Sequence, residues 1–290
     1  MIAISRQKKE NKQTINIIRR YGNMGDLLML TPVLKELSGS KKIILHTLKK
    51  YVDIFANLDF IHDLCALNTN KQISGDIIDI SDYEYNYEHT YQPNIEKTKQ
   101  ELFADALNVK LINPTPIISI TNEEISNIKK ILNNNYTNQK IILLAIKSTS
   151  KDRDWPIENW KKLIEKIKFL NYKLIVVDEK IKWADDKILF FKAKNFRELF
   201  AITKFASLVV TSDSGMLHIA GAFAKPCVSL FGPTDPKVRC IYKNSYFVKA
   251  NLSCAPCWYN RCTRPNCMNL ITVGSVENKI MEVIQNAQDN

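Results

Sequence analysis

Only 8 of the 290 residues are glycine, where a usage of roughly 7 % would give about 20. In so glycine-poor a chain, the glycines that remain mark positions other residues cannot fill. Gly22, Gly25, Gly215, Gly221 and Gly232 all fall inside motifs. Long apolar runs are missing too: nothing approaches the roughly 20 residues needed to span a bilayer. The start, MIAISRQKKENKQ, lacks the apolar centre of a secretory signal. Cysteine is present, but its seven residues make an odd number, which fits a reducing compartment better than a secreted disulfide framework. The expected location is the cytoplasm.

What is there reads as an ordinary soluble domain composition, 45% hydrophobic and 24% charged, in a chain long enough for two domains. The formal charge of +11 favours acidic partners: nucleotide phosphates, phosphorylated glycans, an anionic lipid surface or nucleic acid. Abundant lysine and asparagine also follow from biased base composition, so charge alone singles out none of these. Strand-like runs at 14–19, 43–46 and 76–80 alternate with helical stretches at 27–37, 51–56 and 95–107. The second half repeats the pattern, with strands at 141–145, 173–177, 208–211 and 227–231 and helices at 122–132, 157–169, 196–203 and 216–223. Such alternation predicts an α/β protein with parallel sheets. Asn113-Pro114-Thr115-Pro116 is a stiff passage at the start of a linker. The expected division is a first domain over 1–118, a second over 119–275, and a last helix at 276–290 that crosses back to the first.

Four constellations carry chemistry. After the strand at 208–211, Ser212-Asp213-Ser214-Gly215 opens a helix. Free backbone N–H groups and the positive helix end make this junction an anion site. Gly215 allows close backbone approach and Ser214 adds a hydroxyl, although capping alone also explains Asp213 and Ser214. His218 lies three residues on and reads as a binding or bracing residue rather than a base. The second is Arg20-Tyr21-Gly22-Asn23-Met24-Gly25-Asp26, leading to Thr31-Pro32. Its two glycines permit a tight turn before a helix, but the third glycine of a dinucleotide fingerprint is missing. By position alone Asp26 is a helix cap.

The third is the loop Lys147-Ser148-Thr149-Ser150-Lys151-Asp152-Arg153-Asp154-Trp155-Pro156. Its three hydroxyls and three cations at a strand's end suit a diphosphate. Beyond the strand at 173–177, Asp178 or Glu179 stands where Rossmann-type folds place an acid on ribose hydroxyls. The fourth is Cys254, Cys257, Cys262 and Cys267, four thiols in 14 residues. They match either a compact zinc knuckle, with Trp258, Arg261 and Arg264 suited to RNA, or simply reduced thiols.

The run from Asp213 through His218, Ala220 and Ala222 to Pro226 and the stretch 230–236 resembles the signature of glycosyltransferase family 9, the lipopolysaccharide heptosyltransferases. The G-x-x-G-D loop, the Trp-Pro element and the cysteine-rich tail are similar to the family's as well. The resemblance implies two Rossmann-like domains facing a cleft, the GT-B arrangement, and an inverting transferase that needs no metal or other cofactor. It implies Asp26 as the base on the acceptor hydroxyl. It also implies Ser148, Thr149 and Arg153 on the donor phosphates, with Lys151 as the fallback cation. Asp178, Asp213, Ser214, Gly215 and His218 complete the expected donor site. The implied partners are a nucleotide-sugar, above all ADP-heptose, and a glycan or glycolipid acceptor, with peripheral contact to an anionic membrane and no nucleic acid. The family's H-P-G opening of the diphosphate loop is absent here. An RNA-binding protein and a nucleotide-sugar epimerase are the rival readings.

Overall fold

A computed structural model describes residues 12–67, 73–137, 139–177, 188–258, 262 and 266–287. The first half runs β1 (Gln13–Arg19), α1 (Met24–Leu37), β2 (Lys41–Thr47), α2 (Val52–Phe55), β3 (Asp63–Ala66), β4 (Ile77–Asp79), α3 (Tyr83–Tyr91) and α4 (Lys99–Leu107). The second runs α5 (Asn122–Thr137), β5 (Ile141–Ala145), α6 (Ile157–Ile167), β6 (Lys173–Val177), β7 (Ile188–Phe191), α7 (Phe196–Lys204), β8 (Leu208–Ser212), α8 (Gly215–Ala222), β9 (Cys227–Phe231), β10 (Ser245–Lys249) and α9 (Val273–Asn286). The strands form two sheets, ordered β3-β2-β1-β4 and β10-β9-β8-β5-β6-β7, with every pairing among the described residues parallel.

Parallel sheets are covered on both faces, so their central strands read as unbroken apolar runs. β5 is the clearest case: all five residues of IILLA are buried. Ile141, Leu143 and Ala145 join a core shared with the first half of the chain. Ile142 and Leu144 turn the other way, into a second core under α6 and α9, as the two-residue strand period requires. α6 presents Trp160, Leu163, Ile164 and Ile167 to that second core at helical spacing.

α1 carries a proline in its interior, which removes one helical hydrogen bond and frees the carbonyl of Leu28. The hydroxyl of Thr31 donates to that carbonyl at 2.7 Å. The same oxygen accepts the backbone N–H of Ile117 at 2.7 Å, tying the connecting segment to α1. Thr31-Pro32 therefore works as a pair, the threonine repairing what the proline breaks.

The last helix departs from expectation. It does not return to the first half: α9 starts at Val273 and packs on α6, β9 and β10. Its apolar stripe of Val276, Ile280, Val283 and Ile284 fills the second core. Four elements had no counterpart in the sequence reading: β3, β7, β10 and α3. The last, YEYNYEHTY, has no apolar periodicity and buries only Glu84.

Candidate active site

In open parallel sheets, ligands sit beyond the C-terminal strand ends where the strand order reverses direction. The first sheet reverses between β1 and β4, the second between β5 and β8. The segments after β1, β5 and β8 meet in one cleft of about 480 Å3, lined by Asp26, Glu88 and Lys99 from the first half and by Thr149, Arg153 and Asp213 from the second.

Asp26 is the third residue of α1 and shares a capping box with Asn23, whose backbone N–H donates to its Oδ2 at 2.8 Å. Its other oxygen meets the ammonium of buried Lys99 at 2.8 Å. Burial works to raise its pKa, but the Lys99 charge and hydrogen bond, the Asn23 N–H and the Arg239 charge outweigh it. The carboxyl is thus held well below the usual carboxylate range. Lys99 also lies 3.5 Å from Glu88, which in turn binds Arg239 at 2.5 Å. A chain of alternating charge, Asp26–Lys99–Glu88–Arg239, crosses the cleft from α1 to the loop after β9.

On the second side Arg153 ends a 3-10 turn, Lys151–Arg153, in the loop after β5. Its guanidinium donates to Asp213 Oδ2 at 3.3 Å and to Thr149 Oγ1 at 3.1 Å. Asp213 is buried, and also accepts the Thr234 hydroxyl of the Gly-Pro-Thr-Asp-Pro loop at 2.7 Å. Burial raises the Asp213 pKa, but Arg153, Arg239 and the Thr234 hydrogen bond bring it below the ordinary value. Ser148 is turned into its own loop: its hydroxyl donates to the Ser150 carbonyl at 2.5 Å and its N–H to Asp154 at 2.7 Å. Thr149, Ser150 and Arg153 face the cleft, while Ser148 and Lys151 do not line it.

Ser214 caps α8, accepting the Met216 N–H at 3.3 Å and pairing with Thr211 at 2.9 Å. Gly215 has a reason the sequence does not reveal. A Cβ there would fall 2.4 Å from Met24 Cε and 3.3 Å from the Gly25 nitrogen. The N-termini of α1 and α8 touch glycine to glycine, and that contact brings Asp26 and the anion-binding end of α8 to one cleft. His218 sits beside this contact, its Nδ1 2.6 Å from the Tyr242 hydroxyl, which also accepts from Gln100 at 3.2 Å. Burial, with the nearby Arg239 and Lys99 charges, outweighs Asp213 and Asp26 and lowers its pKa to about 4. At neutral pH it is a neutral brace between the halves.

Lys99, Glu88, Arg239 and Thr234 are cleft residues that the sequence reading missed; of these only Thr234 lay inside a recognised motif. Asp178 and Glu179 lie outside the described residues, as do Arg261 and Arg264. Among the described residues no group of three or more His, Cys, Asp or Glu side chains is arranged for a metal, and no helix is long and apolar enough to cross a membrane.

Residues 191–268 match the family model described as glycosyltransferase family 9 (heptosyltransferase). Lipopolysaccharide heptosyltransferase 1 of Salmonella typhimurium (strain LT2) is 25% identical over 103 residues, 31% of this chain and 31% of that protein. The match thus spans about a third of that curated relative. The structure of the family 9 glycosyl transferase from Veillonella parvula DSM 2008 superposes with a TM-score of 0.77 at 14% identity, covering 94% of this chain and 98% of that one. E. coli heptosyltransferase WaaC with ADP-2-deoxy-2-fluoro heptose gives a TM-score of 0.63 at 14% identity, covering 93% and 99%. At such identities the likeness is one of fold, the GT-B arrangement of two facing Rossmann-like domains. The resemblance to family 9 therefore holds as sequence over 191–268 and as fold over nearly the whole chain.

Proposed function

We propose that this protein is an inverting glycosyltransferase that moves a sugar from a nucleoside-diphospho-sugar onto a hydroxyl of a glycan or glycolipid. ADP-heptose is the donor favoured by the family match and by the ligand of the similar WaaC structure. A lipopolysaccharide-core-like saccharide is the matching acceptor. The observation that carries the reading is one cleft with a carboxylate on one wall and, opposite it, an arginine beside a helix N-terminus.

In this reading Asp26 takes the proton of the acceptor hydroxyl as that oxygen bonds to the sugar C1. The C1–O bond to the diphosphate breaks from the opposite face, and the departing nucleoside diphosphate keeps the electron pair. Asp26 is ionised throughout the neutral range, but Lys99 makes it a weak base. Glu88 offers that ammonium a second partner, so movement of Lys99 toward Glu88 restores basicity as the proton arrives. Arg153, the Thr149 hydroxyl and the positive N-terminal end of α8 at Gly215 take the diphosphate charge. Asp213 orients Arg153, and His218 braces the wall. Asp26 and Asp213 each already face a cation, so the leaving charge falls to those groups without a divalent ion. With +11 net charge the enzyme would work at an anionic membrane face, on the cytoplasmic side.

The test is ADP release from ADP-heptose, with and without heptose-deficient lipopolysaccharide and in the presence of EDTA. Acceptor-dependent release should persist under a brief chelator treatment. Asp26→Asn should slow it by about 10²–10⁴ while leaving ADP affinity by calorimetry unchanged. Turnover retained by Asp26→Asn would remove Asp26 from the chemistry. Immediate loss under EDTA, restored by Mg2+, would overturn the metal-free step.

A further inference from the structure

The cleft opens onto a surface that the donor chemistry does not use. α3 follows the first sheet's switch point, and its sequence YEYNYEHTY places four tyrosines and a histidine in nine residues. Two of its residues face inward: Glu84 is buried against Arg19, and Glu88 lines the cleft. Positions four apart share a helix face, so four of these five rings form two pairs on opposite flanks of that inward face. Tyr87 and Tyr91 stand together, their centroids 4.5 Å apart. Tyr85 and His89 stack on the other side at 6.0 Å.

The first pair does not end at the helix. Tyr87 packs on a small apolar cluster of Ile95, Val238 and Trp258, two of them from the other half of the chain. Trp258 is itself a cleft wall, and Gln92, the residue after Tyr91, is another. An apolar surface therefore links Trp258 in the cleft wall, through the cluster on which Tyr87 packs, to Tyr91, which is 53% exposed. At its inner end two buried donors, Trp258 Nε1 and Arg239 Nη1, find no hydrogen-bond acceptor among the described residues. Arg239 lies over the Trp258 ring at 4.8 Å. Ring faces beside unmet N–H donors suit a ligand that offers both C–H faces and hydroxyl oxygens.

We propose that the Trp258–Tyr87–Tyr91 strip is the acceptor's docking surface, on which pyranose rings of a glycan stack while one hydroxyl reaches Asp26. The assignment rests on the transfer reading above and names its acceptor side. A membrane is the poorer occupant. A helix that lies on anionic lipid carries lysine or arginine on its polar face, whereas α3 has two glutamates, no lysine and no arginine. The exposed residues between its rings are Asn86 and Thr90, which suit hydroxyls rather than acyl chains.

The test uses the full chain loaded with ADP and a panel of pyranose oligosaccharides, including heptose-deficient lipopolysaccharide cores, read by saturation-transfer NMR and titration. Wild type should bind at least one saccharide. Tyr91→Ala should weaken that saccharide about tenfold, Tyr91→Phe should keep it, and Tyr85→Ala on the opposite flank should change nothing. ADP affinity and melting temperature should be the same in all four proteins, since Tyr91 is exposed. No saccharide bound by wild type, equal binding by Tyr91→Ala, or an equal loss in Tyr85→Ala would each overturn the strip as a docking site. A Tyr91→Ala defect confined to phosphatidylglycerol vesicles would overturn it in favour of lipid. Failure of wild type to bind ADP would instead count against the transferase reading, which keeps the two separable.

Discussion

His218, which lines the cleft, shows how a residue of the signature can matter to the fold itself. It is 3% exposed, paired with Tyr242, and pressed edge-on against Gly25. A buried imidazole with a pKa near 4, against 6.5 in the unfolded chain, is a stability device with a definite sign. Between those values the unfolded chain binds a proton that the folded chain refuses. Stability is then complete above pH 6.5 and falls as pH drops toward 4. A shift of this size corresponds to about 3 kcal/mol. The facing charges are mixed: Asp213 and Asp26 favour protonation, Arg239 and Lys99 oppose it, and burial decides. Urea unfolding at pH 7 and pH 4.5 should show the loss in wild type and a flatter response in His218→Gln. Equal pH slopes in the two proteins would mean that His218 titrates alike in the folded and unfolded chain.

At the scale of elements, the contact of α1 with α8 explains two of the eight glycines. A Cβ on Gly25 would lie 2.8 Å from His218 Cδ2 and 3.3 Å from the Gly215 Cα. A Cβ on Gly215 would meet the Met24 methyl at 2.4 Å, a flexible tip that can yield, but also the Gly25 nitrogen at 3.3 Å. Gly25→Ala, set against a fixed ring, should cost about 1–3 kcal/mol, and Gly215→Ala less. Adding Met24→Ala to Gly215→Ala should recover part of its loss; a Gly215→Ala protein no better with that second change would show the backbone contact to be the obstacle. These glycines also mark what was legible in the sequence. Strand ends followed by short polar turns are local features, so β1, β5 and β8 and their loops could be read. The family resemblance singles out Asp26 and Arg153 within them, and both line the cleft with Asp213. The reason for Gly215 could not be read, because its neighbour comes from a helix about 190 residues away. Nor could α3: a helix that buries only a glutamate carries no apolar period, and Glu88 and Lys99 gain meaning only when α1, α3 and α4 come together and Arg239 arrives from the second half.

The whole molecule is held across its cleft by charge as well as by the shared core. Arg197 of α7, paired with Glu124 of α5 at 2.7 Å, also donates to the Asp53 carbonyl in the first turn of α2 at 3.3 Å, which fastens the halves away from the site. Beside the site, Glu88 of α3 and Arg239 of the second half make the matching link. Burial alone would depress the charge on Arg239, but Glu88, Asp213 and Asp26 hold its pKa above the ordinary value. Removing one partner of such a pair leaves a buried charge with reduced compensation, which typically costs about 3–5 kcal/mol. Glu88 keeps some solvent contact, 16% of its side chain, so the lower end, about 3 kcal/mol, is expected for Glu88→Ala. Replacing both partners with apolar residues of similar size, Glu88→Met with Arg239→Met, should restore part of that stability, because Arg239 is no longer stranded while Lys99 and Asp213 keep Asp26 and Arg153 as partners. The double variant should still lose transfer activity, since in the proposed reaction Lys99 needs Glu88 as its second partner and Arg239 lines the cleft. Chemical denaturation separates the two effects from turnover. A Glu88→Ala protein within 1 kcal/mol of wild type, measured at low salt where the pair is least screened, would show that the Glu88–Arg239 pair does not hold the halves.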